Sequence, residues 1–105
     1  DALVKFLAAS QKGWQDAIKD PNMAVDAVMK WADPKTTSRD HLLAMVKAVA
    51  LLVQPSGLSA DKIGFIDEAR FKTTSDIVLK FNSITKPSAN AYTNDLMTAA
   101  AALKK

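Results

Sequence analysis

Apolar residues recur at intervals of three and four along most of the chain, which is the spacing of one face of an α-helix. The pattern is clear from Ala2 to about Lys19, with apolar side chains at Leu3, Phe6, Leu7, Trp14, Ala17 and Ile18. It predicts a first amphipathic helix whose single apolar face packs on a partner.

A second helix is predicted from Pro21 to about Ala32, with Val25, Val28 and Met29 on its apolar side. Asp20 suits the cap position, and a proline in the first helical position loses an N–H that has no partner there anyway. Asp33 precedes Pro34, and proline disfavours helix in the residue before it. The second helix should therefore end there.

A third helix is predicted to begin after Thr37, since Thr37 and Asp40 resemble a capping box with a shorter acid. It continues to Val53 through Leu42, Leu43, Met45, Val46, Val49, Ala50 and Leu52. As the most apolar helix it should also be the most buried. Pro55 and Gly57 then mark a loop within one domain.

A fourth helix is predicted from about Asp67 to Phe81, with Phe71, Ile77, Val78 and Phe81 on its apolar side. Thr73, Thr74 and Ser75 are candidates to divide it. Asn82 suits a left-handed cap after the helix, with Ile84 as the accompanying hydrophobic contact.

Thr93 is predicted to cap a last helix from Asn94 to Leu103, with Lys104 and Lys105 placed favourably at its end. No segment shows a sustained alternation of apolar and polar residues, so no sheet is expected. The chain is predicted to be all-α, with five or so helices in a single helical domain or fragment over residues 1–105.

Composition fits one domain with a modest core, because 49% of the 105 residues are hydrophobic and 24% are charged. The apolar run from Ala48 to Val53 is far shorter than the roughly 20 residues of a membrane span, so no membrane insertion is expected. The net charge of +3 comes from dispersed basic residues with only two arginines. Nucleic-acid binding needs a basic stripe, and none is present.

The residues that carry catalysis are sparse. The chain has no cysteine and one histidine, His41, so neither a cysteine-based zinc site nor a thiolate nucleophile is possible. Ser38, Asp40 and His41 are neighbours, but one helical turn cannot aim them as a triad. The three glycines form no phosphate-binding loop. We therefore predict no enzyme, no cofactor and no metal.

Arg70 and Tyr92 are the candidates for ligand binding. Arg70, next to Phe71, can hold a sulfonate or carboxylate by a bidentate contact. A surface salt bridge between Arg70 and Asp67 is nevertheless the expected arrangement. Tyr92 belongs to a set of rings that could line a pocket or pack in the core, together with Trp14, Trp31, Phe65, Phe71 and Phe81. Core packing is the expected role for each ring.

Three short phrases resemble one known family: Lys12–Val25, Gly64–Phe71 and Ala91–Met97. The first contains Lys-Gly-Trp, then Asp-Pro and an Ala-Val pair. Together they resemble the C-terminal helical region of substrate-binding proteins of ABC importers, in the group that serves sulfonates, taurine, nitrate and thiamine-pyrimidine precursors. The resemblance extends over nearly the whole chain.

That resemblance implies a scaffold. Family members fold as two α/β lobes around a ligand cleft, and this chain contains none of their strands. It would be the C-terminal helical layer that packs on the first lobe of a longer, periplasmic or extracytoplasmic parent. The small-molecule ligand and the membrane permease would then be partners of the parent. The isolated piece should self-associate through the apolar face that the parent covers.

Two alternatives remain open. The first is a stand-alone helical-bundle interaction module, which helices that close their apolar faces on each other would favour. The second is a fragment of a fungal pyrimidine-precursor synthase, a relative implied by the same resemblance. The cysteine-rich motif and the cofactor lysine of those enzymes have no match here, so this alternative ranks last.

Overall fold

Five α-helices and one short 3₁₀ helix make up the part of the chain that the computed structural model describes, residues 1–83, 85–86 and 90–103. The α-helices are α1 (Ala2–Lys19), α2 (Pro21–Met29), α3 (Arg39–Val53), α4 (Glu68–Phe81) and α5 (Asp95–Ala102); the 3₁₀ helix is Ala60–Lys62. These residues contain no strand. The all-α prediction is confirmed.

The start of α2 follows the predicted cap. The Asp20 carboxylate accepts a hydrogen bond from the Met23 N–H at 3.1 Å, and Pro21 occupies the first turn. The helix ends at Met29, earlier than the predicted Ala32. Just beyond it the N–H of Trp31 donates to the Val28 carbonyl three residues earlier, at 3.0 Å, which tightens the chain into a turn before Asp33 and Pro34.

Helix α3 differs from its prediction both in its N-terminal cap and in its burial. Its cap is Ser38, whose hydroxyl accepts from the His41 N–H at 3.5 Å, so Thr37 and Asp40 form no capping box. The expectation of greatest burial is wrong, because no residue of Arg39–Val53 is buried and Leu52 is 78% exposed. The helix's own apolar side chains point in most directions around its axis. Its side toward α1 and α2 is covered by those helices, and the rest is exposed.

Helix α4 is continuous through the predicted break. The Thr73 and Thr74 hydroxyls donate to the carbonyls one turn earlier, each at 3.1 Å, and so stay within the helix. Asn82 is not left-handed, with φ −113°; that conformation falls on the next residue, Ser83, with φ 55°. The predicted contact of Ile84 and the predicted role of Lys104 and Lys105 lie outside the described residues.

The start of α5 uses its polar side chains differently from the prediction. Asn94 is the cap residue, while the Thr93 hydroxyl accepts from the Asp95 N–H at 3.2 Å. The Asn94 side chain reaches away from α5. Its amide oxygen accepts from the Ile66 N–H at 2.8 Å and its amide nitrogen donates to the Ile66 carbonyl at 2.9 Å. This pair of bonds ties α5 to the segment that precedes α4.

Much of the core lies where α1 meets α5 and the loop around the 3₁₀ helix, with Ile63, Met97 and Ala100 as its buried apolar side chains. The fourth buried apolar side chain is Val25 of α2. Gln11, only 3% exposed, donates from its side-chain amide to the carbonyls of Asp61 at 2.9 Å and Ile63 at 2.7 Å. Gln15 donates to the Ala60 carbonyl at 2.8 Å. Two glutamines of α1 thus hold the 3₁₀ segment in place.

The helices form an open layer. The radius of gyration is 16.9 Å, against about 13 Å for a compact domain of this length. The accessible surface is 8045 Å², whereas a folded monomer of 11.3 kDa exposes about 5,700 Å². Within the described residues α4 packs extensively on no other helix. A large part of the surface is therefore exposed to solvent.

Replacing Gln11 by Met should lower the free energy of unfolding by about 1–3 kcal/mol, because two carbonyls lose a buried donor. Gln15→Met is the control, since it removes one exposed bond and should cost less than about 1 kcal/mol. Urea denaturation followed by circular dichroism measures both. Equal losses for the two variants would show that the buried bonds carry no special weight.

Gly64 and Gly57 form a second matched pair. Both have positive φ, 90° and 87°, so alanine at either site costs about 1–3 kcal/mol in backbone strain. A Cβ at Gly64 would also lie 2.9 Å from the Met97 methyl, while one at Gly57 would meet open space. We expect Gly64→Ala to have only a slightly lower melting temperature, because the Met97 methyl is the far end of a flexible side chain and can move aside. A much larger loss at Gly57 than at Gly64 would contradict this expectation.

Candidate functional site

Helix α1 carries two adjoining apolar strips rather than the single face predicted. Successive residues turn by 100°, so Val4, Leu7, Gln11 and Ile18 share the inner side. Leu3, Phe6, Ser10, Gly13, Trp14 and Ala17 lie on the neighbouring side, here called the outer α1 strip. Leu3 is 53% exposed, Phe6 66% and Trp14 39%. The apolar arc of α1 is wider than α5 and the 3₁₀ segment can cover.

The outer α1 strip forms one wall of an apolar groove. Ser10, Gly13, Trp14 and Ala17 face Ala24 and Val28 of α2 and Val46 of α3 across a volume of about 370 Å³. Val28 is 49% exposed. The groove has unoccupied space at Gly13, because a Cβ added to this residue would meet no atom within 4 Å. The groove offers apolar contact and carries no charged side chain.

Tyr92 lies in a different groove, along α4. Its ring packs on Phe71 with ring centroids 4.5 Å apart and planes tilted by 50°. The groove has a volume of about 1040 Å³, and acidic side chains line it: Asp67, Glu68 and Asp76. Its cation, Lys72, is paired with Asp76 at 2.7 Å. The lining does not favour an anionic ligand such as a sulfonate.

Arg70 lines a third groove, of about 310 Å³, beside Leu52, Gly57 and Phe65. The structure therefore does not bring the two candidate ligand residues together. No ion pair joins the Arg70 guanidinium to Asp67 within the described part of the chain. The Asp67 carboxylate instead accepts the backbone N–H of Arg70 at 2.8 Å and caps α4.

The expectation that every aromatic ring packs in the core is wrong for three of the six, Trp14, Trp31 and Phe81, which are all exposed. Trp31 is 92% exposed just beyond α2, and Phe81 is 69% exposed at the end of α4. Phe65, Phe71 and Tyr92 are half-buried. Helical spacing alone cannot distinguish a covered ring from an uncovered one, because it reports which face is apolar and not whether a partner is present.

Groups with catalytic or metal-binding potential are placed as follows. The Ser38 hydroxyl is engaged at the start of α3, and His41 is exposed. Among the residues that the structure describes, no cluster of three or more histidine, cysteine or acidic side chains is suited to a metal ion. None of the helices there has the length and hydropathy to cross a membrane.

Comparison of the chain with family models, with curated proteins and with solved structures gives no match. The resemblance to importer binding proteins stays a prediction that rests on the three sequence phrases and on their places in the fold.

Asn94→Ala should loosen α4 more than α1. The substitution removes both hydrogen bonds to Ile66, and the contact of Phe71 with Tyr92 then remains to hold α4. Hydrogen exchange measured by mass spectrometry should show faster exchange in Glu68–Phe81, with Ala2–Lys19 unchanged. Asn82→Ala, at an exposed asparagine after α4, is the control. An equal increase in both helices would indicate global destabilisation and contradict the local role.

Proposed function

We propose that this chain is the C-terminal helical layer of a solute-binding protein of an ABC importer, and that it acts as scaffold rather than as ligand cleft. The observation that carries the proposal is the uncovered apolar surface. The accessible area, polar and apolar together, exceeds that of a folded monomer by roughly 2,300 Å², and large apolar side chains such as Phe6 and Leu52 are part of the exposed surface. A helical layer that packs on an α/β lobe needs such a surface, because one of its faces must meet the lobe.

The resemblance phrases also fall on residues with structural roles, which supports a scaffold. Asp20 and Pro21 start α2, and Asp67 starts α4. Gly64 adopts φ 90° and lies against the buried Met97. These residues place helices and do no chemistry, as expected for a region that supports a cleft formed elsewhere.

The grooves support the same division of roles. Arg70 and Tyr92 line separate grooves, and the carboxylates around Tyr92 repel an anion. Sulfonate or nitrate recognition needs donors converging on one point. In this proposal the lobes of the longer parent capture the solute, which is a small organic or nitrate-like molecule. The parent would capture the solute outside the cytoplasmic membrane and deliver it to the membrane permease, which is likewise the parent's partner.

A stand-alone interaction module is the second candidate function. Its closed-bundle form is not favoured, because Leu3, Phe6 and Leu52 remain exposed instead of closing on one another. The chain could act as an interaction module only if a partner bound to the outer α1 strip and covered it. A fragment of a pyrimidine-precursor synthase has no support from the fold.

The experiment that tests the proposal combines the reading frame around Asp1 with the intact mass of the protein from its source. We expect a longer parent that binds taurine, nitrate or a pyrimidine-like solute in calorimetric titrations, while the 105-residue chain binds none. A variant of the parent that lacks this layer should have a lower melting temperature, while its ligand-contacting residues are all still present. A mature protein that ends at these 105 residues, with no longer form, would contradict the scaffold and leave the interaction module.

A further inference from the structure

We propose that the groove beside Arg70 binds a small apolar carboxylate, a ligand in which one carboxylate is joined to a branched or aromatic apolar group. This goes beyond the proposed function and does not depend on it. Taurine and nitrate carry no such apolar group and are not ligands of this kind. The inference rests on the lining of the groove, on its charges and on its size.

The groove lies where the end of α3, the loop after it and the start of α4 meet. Leu52 of α3 and the loop residues Pro55 and Leu58 contribute aliphatic surface, and Phe65 contributes an aromatic ring. Leu52 is 78% exposed and Phe65 is half-buried, so part of each side chain is open to a ligand. An apolar lining with a few polar groups is typical of small-molecule sites.

Hydrogen bonds fix the two segments that form most of the groove. The Leu58 N–H donates to the Pro55 carbonyl at 3.0 Å, and the Gln54 side-chain amide donates to the Leu58 carbonyl at 3.0 Å. The Phe65 N–H donates to the Lys62 carbonyl at 3.1 Å. The groove is therefore formed before a ligand arrives, which lowers the free-energy cost of ordering the site on binding.

Arg70 is the cation of the groove. Within the described residues its guanidinium forms no ion pair, whereas Arg39 is paired with Asp26 at 2.8 Å. A guanidinium presents parallel N–H donors that match the two oxygens of a carboxylate. Lys62 adds a second positive charge nearby, since its Nζ lies 4.9 Å from the centre of the Phe65 ring.

The charge and the size of the groove select the ligand. Asp67 also lines it, but this carboxylate accepts the backbone N–H of Arg70 at 2.8 Å and is held at the start of α4. Arg70 and Lys62 together outweigh Asp67 by one charge, which a single carboxylate on the ligand balances. The volume of about 310 Å³ is at the lower end of the range for ligand pockets, so the ligand is small.

The first test is an NMR titration of the isotope-labelled chain with N-acetyl-leucine. N-acetyl-leucinamide, which lacks the carboxylate, and acetate, which lacks the apolar group, are the matched probes. We expect N-acetyl-leucine to shift the amide signals of Gly57, Gly64 and Phe65, with a Kd of about 1 mM or tighter. Each matched probe should bind about tenfold more weakly or worse. Binding of either one as tight as that of N-acetyl-leucine, or no binding of any probe, would overturn the proposal.

Two pairs of variants then test which side chains hold the ligand. Arg70→Gln should weaken binding of N-acetyl-leucine about tenfold or more, whereas Lys80→Gln, at an exposed cation of the same helix outside the groove lining, should not. Leu52→Ala should weaken binding about threefold or more, whereas Leu51→Ala should not, since Leu51 is 72% exposed but does not line the groove.

All four substitutions replace exposed side chains, so each variant should keep the melting temperature of the unsubstituted chain to within a few degrees. Equal binding by the two members of either pair would overturn the assignment of the ligand to this groove.

Discussion

The two hydrogen bonds from the buried side-chain amide of Gln11 determine the arrangement of this protein. They fix the carbonyls of Asp61 and Ile63 against α1, although these residues are far from Gln11 in the sequence. Ile63 is thereby held in the core, and Gly64 turns the chain so that it passes close to Met97 of α5. A buried polar group without partners is costly, so this contact also selects one register of the loop on the helix.

The inner side of α1 is therefore committed to a loop and a short helix, which leaves its outer side uncovered. Helices α2 and α3 flank that outer side without closing over it, and a groove remains beside Trp14. Helix α4 is likewise held by few contacts: the hydrogen bonds of the Asn94 amide and the contact of Phe71 with Tyr92. A layer joined by few contacts of this kind is suited to resting on a further surface.

The helices were predictable because their starts depend on local chemistry. Asp20 and Pro21 start α2 as the sequence indicates, and α4 begins next to Asp67, where the pattern predicts its start. Burial was not predictable for α3 or for Phe6, because a periodic pattern shows which face is apolar but not which partner is present. The Gln11 contact could not be foreseen either, since a glutamine within a helix gives no signal of a distant carbonyl. The separation of Arg70 from Tyr92 likewise depends on tertiary placement.

The central claim is that these helices form an open layer with an apolar face left uncovered. Small-angle X-ray scattering tests it most directly, at a dilution where the forward scattering corresponds to one copy. The account predicts a radius of gyration near 16.9 Å. A value of about 13 Å, the size of a compact domain of this length, would mean that the helices close on one another and would contradict the account.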